Sequence, residues 1–133
     1  MAKNLLKKQM IKAERINKRT AIIYWFITLC YMGAIFSITY SGFQPRIPQN
    51  SDKIVHAVIY FLLAILFYFS FHKSGVKRYI FLLSVALSTI YGITDEFHQF
   101  YVPGREPSFG DIIADLTGAF LGCYISNMLI TKN

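Results

Sequence analysis

Residues 79–99 read YIFLLSVALSTIYGITDEFHQ, and the way this stretch ends decides the fold. Tyr79 to Thr94 is sixteen residues without a charge, which as a helix covers only about 24 Å at 1.5 Å per residue. A bilayer core is roughly 30 Å thick. A helix that crosses it must therefore continue through Asp95 and Glu96, which brings two carboxylates to the membrane boundary or just inside. A carboxylate at mid-helix costs about 2.5–3.5 kcal/mol on insertion scales and marks a functional site by default. Near a helix end the cost is lower, but the pair still requires a partner.

Three further apolar runs accompany this one. The spans expected from hydropathy are Thr20–Tyr40, Lys53–Phe71, Tyr79–Gln99 and Asp111–Ile130, each near the length a spanning helix needs. Hydrophobic residues make up 54% of the 133 and charged residues only 16%, a balance that a soluble domain of this size has no use for. The chain reads as an all-α membrane protein, a bundle of four transmembrane helices (residues 20–133) behind a basic N-terminal segment (residues 1–19). The first run exceeds a signal-peptide core and no clear cleavage site follows it, so it reads as an uncleaved helix. Cys30 and Cys123 fall inside expected helices and suggest packing rather than a disulfide or a metal site.

Charge sets the expected orientation. Eleven of the fourteen Lys and Arg lie before the first run, between the second and third, or after the fourth. The positive-inside rule makes that side cytoplasmic, with both termini inside a cell membrane crossed several times. The net charge of +7 then reflects anchoring to anionic lipid and calls for no nucleic-acid partner. Leu6, Met10 and Ala13 share a helical face among lysines, which suits a helix lying on the leaflet as well as a frayed basic tail.

Six of the seven acids (Asp52, Asp95, Glu96, Glu106, Asp111 and Asp115) and all four prolines gather at the opposite end. Asp52 and Asp111 open helices, where a cap or the helix dipole accounts for them. Asp115 lies a turn deeper, about 6 Å in. Asp95 and Glu96 stand near a helix C-terminus, which disfavours anions, so a cation, a metal or altered protonation must compensate. Lys53, Arg46, Arg105, His56 and His98 are the candidate partners. Helical spacing sets Asp52, His56 and Tyr60 on one face, Asp95 with Gln99, Asp95 with His98, and Asp111 with Asp115. Ala114, Gly118 and Gly122 form a small-residue stripe suited to close helix packing.

The two polar-end loops match each other. Pro45-Arg46-Ile47-Pro48 leads to Asp52 and then His56; Pro103-Gly104-Arg105-Glu106-Pro107 leads to Asp111 and then Asp115. Two repeated helical hairpins related by an axis along the membrane normal would produce this pattern and face both polar helix starts toward one pocket.

Asp52-Lys53-Ile54-Val55-His56 with Tyr60, Asp95-Glu96-Phe97-His98-Gln99, Pro103-Gly104-Arg105, and Asp111-Ile112-Ile113-Ala114-Asp115 with Gly118 and Gly122 occur here in order. With these motifs the chain resembles the VanZ-like family of bacterial membrane proteins. The resemblance implies an envelope context, with a role in resistance to the glycopeptide teicoplanin, and Asp or Asn at position 115. It implies no reaction.

The site expected from the sequence comprises Asp52, Lys53, His56, Asp95, Glu96, His98, Gln99, Arg105, Asp111 and Asp115. Three functions fit it. One is binding of an envelope lipid, a lipid-linked wall precursor or a glycopeptide, with Arg46, Lys53 and Arg105 holding a phosphate. The second is an enzyme acting on a lipid-linked substrate, its carboxylates beside histidines doing general acid–base work or binding a metal. The third is a structural role in which the acids are caps and ion pairs. No nucleophile constellation or zinc spacing such as H-E-x-x-H is present, so no catalytic residue, metal ligand or cofactor is assigned from the sequence.

Overall fold

The computed structural model describes residues 2–41 and 51–132, the side chains of 2, 3, 12, 13 and 16 excepted. They form four α-helices: α1 Ala2–Tyr40, α2 Ser51–Lys73, α3 Ile80–Gln99 and α4 Phe109–Thr131. Within them, four stretches are long and apolar enough to cross a membrane: Asn17–Tyr40, Ser51–Lys73, Ile80–Gln99 and Phe109–Thr131. Each expected span lies on its own helix, and the chain is a multi-pass membrane protein. The first loop, with Pro45, Arg46 and Pro48, lies outside the described residues.

The surface is that of a protein dissolved in lipid. Large apolar side chains such as Phe26, Leu29, Ile54, Leu82, Phe120 and Leu129 point outward, while Thr28, Ser70, Ser84, Ser88 and Ser126 are fully or almost fully buried. Lipid tails are as apolar as leucine, so helices in a bilayer gain by close approach through small and hydroxylated residues. Each buried hydroxyl of Thr28 and Ser126 also bonds a carbonyl four residues earlier, at 2.8 Å in both cases.

The central pair is α2 and α4. They run parallel and meet at a constant offset: His56 with Asp115, the Ala64 carbonyl with Cys123, Tyr68 with Asn127. A side chain at Gly118 would strike the carbonyl oxygen of Ala57, and one at Gly122 that of Phe61. The small-residue stripe is therefore what lets the two backbones touch.

Around this pair, α3 packs on both α4 and α2, whereas α1 packs on α2 and α3 and makes no close approach to α4. Tyr31 Oη donates to the Ile59 carbonyl at 3.1 Å and Tyr91 Oη to the Met32 carbonyl at 2.7 Å, tying α1 to α2 and α3. At the basic end Trp25 Nε1 reaches Ser74 Oγ at 2.9 Å, and Thr28 pairs with Ser70 at 2.9 Å.

The division expected at residue 19 is no break in the backbone. Helix α1 continues through Arg19 and Thr20 as 39 residues, about 58 Å at helical rise. Leu5, Leu6, Met10 and Ile11 are exposed along its first part. The basic segment is helical and continuous with the first span.

Candidate functional site

Three helices and the α3–α4 loop bring acids together a turn or two inside the polar end. Asp115 is the seventh residue of α4, Glu96 is three residues from the end of α3, and His56 is on the second turn of α2. Asp95, Glu96 and Asp115 are 7%, 3% and 0% exposed. Acids this buried must be matched by donors.

The first match joins α2 to α4. His56 Nδ1 lies 3.0 Å from Asp115 Oδ1 and 3.9 Å from Glu96 Oε1. Asp115 Oδ2 lies against Gly92 of α3, where an added Cβ would stand 2.5 Å from it. Gly92 is thus required so that the carboxylate can enter the three-helix junction. Its position on a Ser84-Ser88-Gly92-Glu96 face was the available signal, and hydropathy reading passed over it.

The second match explains how α3 ends on two acids. Glu96 Oε2 accepts the backbone N–H of Ser108 at 2.9 Å, and its Oε1 accepts Gln99 Nε2 at 3.0 Å. Ser108 is the N-cap of α4, so the positive end of that helix's dipole stands beside the carboxylate that the C-terminus of α3 disfavours. Gln99 Nε2 also lies 3.4 Å from Asp95 Oδ2. Arg105 Nη1 donates to Gln99 Oε1 at 3.4 Å, which joins it to the network. The turn at Gly104, with φ +82°, places Arg105 there; glycine adopts that conformation without steric cost.

A separate pair stands on the α2–α4 side. Lys53 Nζ lies 3.2 Å from Asp111 Oδ1 and 3.6 Å from Asp52 Oδ2. Asp52 and Asp111 are both in first helical turns, where the dipole favours them. Ser108 makes no side-chain cap bond.

Of the ten expected site residues, His56, Asp95, Glu96, Gln99, Arg105 and Asp115 form one connected network, and Lys53, Asp52 and Asp111 form a flanking ion cluster. His98 does neither. Its ring packs 4.6 Å from Phe36 and 6.1 Å from Tyr40, toward α1. Asp95 and His98 are three apart, but at about 100° per residue His98 falls well round the helix from the face that Asp95, Glu96 and Gln99 share.

Two buried polar atoms at this centre have no hydrogen-bond partner among the described residues: Asp115 Oδ2 and Tyr60 Oη. Tyr60 is 1% exposed, one turn inward from His56, its ring parallel to the imidazole at 6.4 Å. It lies within electrostatic reach of Asp95, Asp115 and Glu96.

Beside the network, between α2 and α4, runs an open groove of about 510 Å³. Ala57, Phe61, Ala114, Gly118 and Leu121 line it, and Lys53 stands at its polar-end mouth.

No solved structure matches the chain. An uncharacterized protein of Schizosaccharomyces pombe is 31% identical over 116 residues, which cover 86% of this chain and 67% of that protein. That relative is fungal, so the likeness reaches beyond the bacterial setting that the motifs alone suggested. The family model described as VanZ/LLP1 matches residues 3–130, motifs and basic segment together. The chain belongs to the VanZ/LLP1 family.

Proposed function

We propose that this protein binds an envelope lipid, with an acyl chain in the α2–α4 groove and the headgroup at the polar cluster. The observation that carries the reading is the groove itself: an apolar slot facing the bilayer that ends at a lysine. Its volume lies within the range of small-molecule sites, roughly 300–1,000 Å³. Lys53 offers a headgroup phosphate a charge-assisted donor, while Asp52 and Asp111 beside it favour a headgroup that also carries an ammonium or hydroxyl groups. A lipid-linked wall precursor meets the same description. In this reading the polar end faces the extracytoplasmic leaflet of the cell membrane, and any effect on glycopeptide susceptibility passes through the bound lipid.

The test is native mass spectrometry of protein extracted in mild detergent. Val58 lines the groove and is exposed, so Val58→Trp fills it without touching the acids. Wild type is expected to carry a lipid adduct that Val58→Trp loses and Lys53→Gln weakens. Equal adducts in all three would sink the reading. A substrate turned over by wild type and not by His56→Gln would favour the enzymatic alternative, for which the His56–Asp115 contact is the specific support.

A further inference from the structure

We infer that His56, Glu96 and Asp115 form a binding site for one divalent transition-metal ion, Zn2+ fitting the donors best. The inference stands on the polar network alone and does not depend on the lipid groove.

The three residues come from α2, α3 and α4, and one ligand atom of each lies within 4.8 Å of the others. Ligand atoms about 2.0–2.2 Å from a zinc ion stand about 3.0–4.2 Å apart, depending on the angle between them. The His56 Nδ1 distances of 3.0 and 3.9 Å to Asp115 and Glu96 fall in that interval. The Glu96–Asp115 spacing is within 4.8 Å, so rotation of the carboxylates would have to draw the set around an ion. Two carboxylates and a neutral imidazole balance a divalent charge, and the imidazole selects against Mg2+ and Ca2+, which prefer oxygen alone.

A second observation is independent of the cluster's own contacts. Tyr60 is 99% buried beside these acids, and its hydroxyl has no partner among the described residues. A buried hydroxyl left unpaired costs about 1–3 kcal/mol. A water completing the coordination of a metal with three protein ligands would offer that hydroxyl a hydrogen-bond acceptor. The supports of the first ligands are also in place: Glu96 is held by the Ser108 amide and Gln99, so one of its oxygens is already oriented toward His56. A metal on Nδ1 leaves the imidazole its one proton on Nε2, and any further proton held between His56 and Asp115 leaves to solvent.

The experiment strips detergent-solubilised protein with chelator and titrates it with ZnCl2 by calorimetry, counting bound metal after dialysis. One zinc per chain is expected, with affinity lowered at least about tenfold in His56→Gln and Glu96→Gln and unchanged in His98→Gln. No saturable zinc in wild type, or full binding in a folded His56→Gln protein, overturns the site. Should both ligand variants fail to fold, the histidine content decides the matter. The chain has three histidines, so His72→Gln/His98→Gln protein keeps His56 as its one imidazole. Loaded with Cu2+, it must show a coordinated imidazole nitrogen by pulsed electron paramagnetic resonance; a spectrum without one overturns the inference.

Discussion

Gly92 shows how far one residue can control the polar centre. Its missing side chain is the space that Asp115 Oδ2 occupies, and an alanine there would also press Asp115 Cβ and Cγ, both at 3.1 Å. Overpacking of this kind costs about 1–3 kcal/mol. Gly92→Ala is therefore expected to lower unfolding stability by that amount and to separate Asp115 from His56. The penalty should shrink in an Asp115→Ala background, because neighbours that clash are not additive. Equal costs in both backgrounds, measured by denaturation in detergent, would place the effect elsewhere. At this scale the sequence showed the charged residues well and the uncharged ones poorly. His56, Glu96 and Asp115 announce themselves as ionisable groups in apolar helices. Gly92, the Ser108 amide and the Tyr60 hydroxyl acquire their roles only from what folds against them. Arg105, expected as a counter-charge for the acids, donates to Gln99 of the network, the loop turning at Gly104 to place it there.

The same limit holds between elements. Four helices were legible because length and hydropathy are local properties, and their ends fall within a few residues of the expected spans except at the start of α1, which begins at Ala2. Which helices touch is not local, yet one pairing left a trace. The polar-end loops repeat with Asp52 matched to Asp111 and His56 to Asp115, and the same offset joins α2 to α4 in space. Parallel helices about an axis place matched residues at one depth, so a matched pair on the shared face meets itself. The packing is not symmetric beyond this, since α3 contacts α2 while α1 does not approach α4. The pairing depends on Gly118 against a backbone carbonyl, which cannot rotate away. Gly118→Ala should cost about 1–3 kcal/mol or more, whereas Gly33→Ala on α1, with nothing within 4 Å, should stay within about 0.5 kcal/mol. Similar thermal stability of the two variants would refute the close α2–α4 contact.

For the molecule as a whole, charge is sorted by end, with most cations at one and most of the acids at the other. Lys73, Lys77 and Arg78 flank the α2–α3 turn at the same end as the basic start of α1, while the α3–α4 loop and its acids stand opposite. Basic residues beside spans are held on the cytoplasmic face, and acidic residues contribute little to that choice. By that rule the orientation would be set by groups remote from the polar network, and the network would face the outer leaflet as a consequence. A reporter fused at Gly104 should therefore read extracytoplasmic and one at Gly75, in the α2–α3 turn, cytoplasmic. Both glycines have positive φ and open space around them, so an insertion there disturbs little packing. The control is a chain in which Lys73, Lys77 and Arg78 become Gln. It should give mixed orientation while the His56–Glu96–Asp115 cluster stays intact, because none of those three cations contacts it. Reversed signals in the unaltered chain would turn the site toward the cytoplasm and limit its ligands to lipids of the inner leaflet, leaving the metal site untouched.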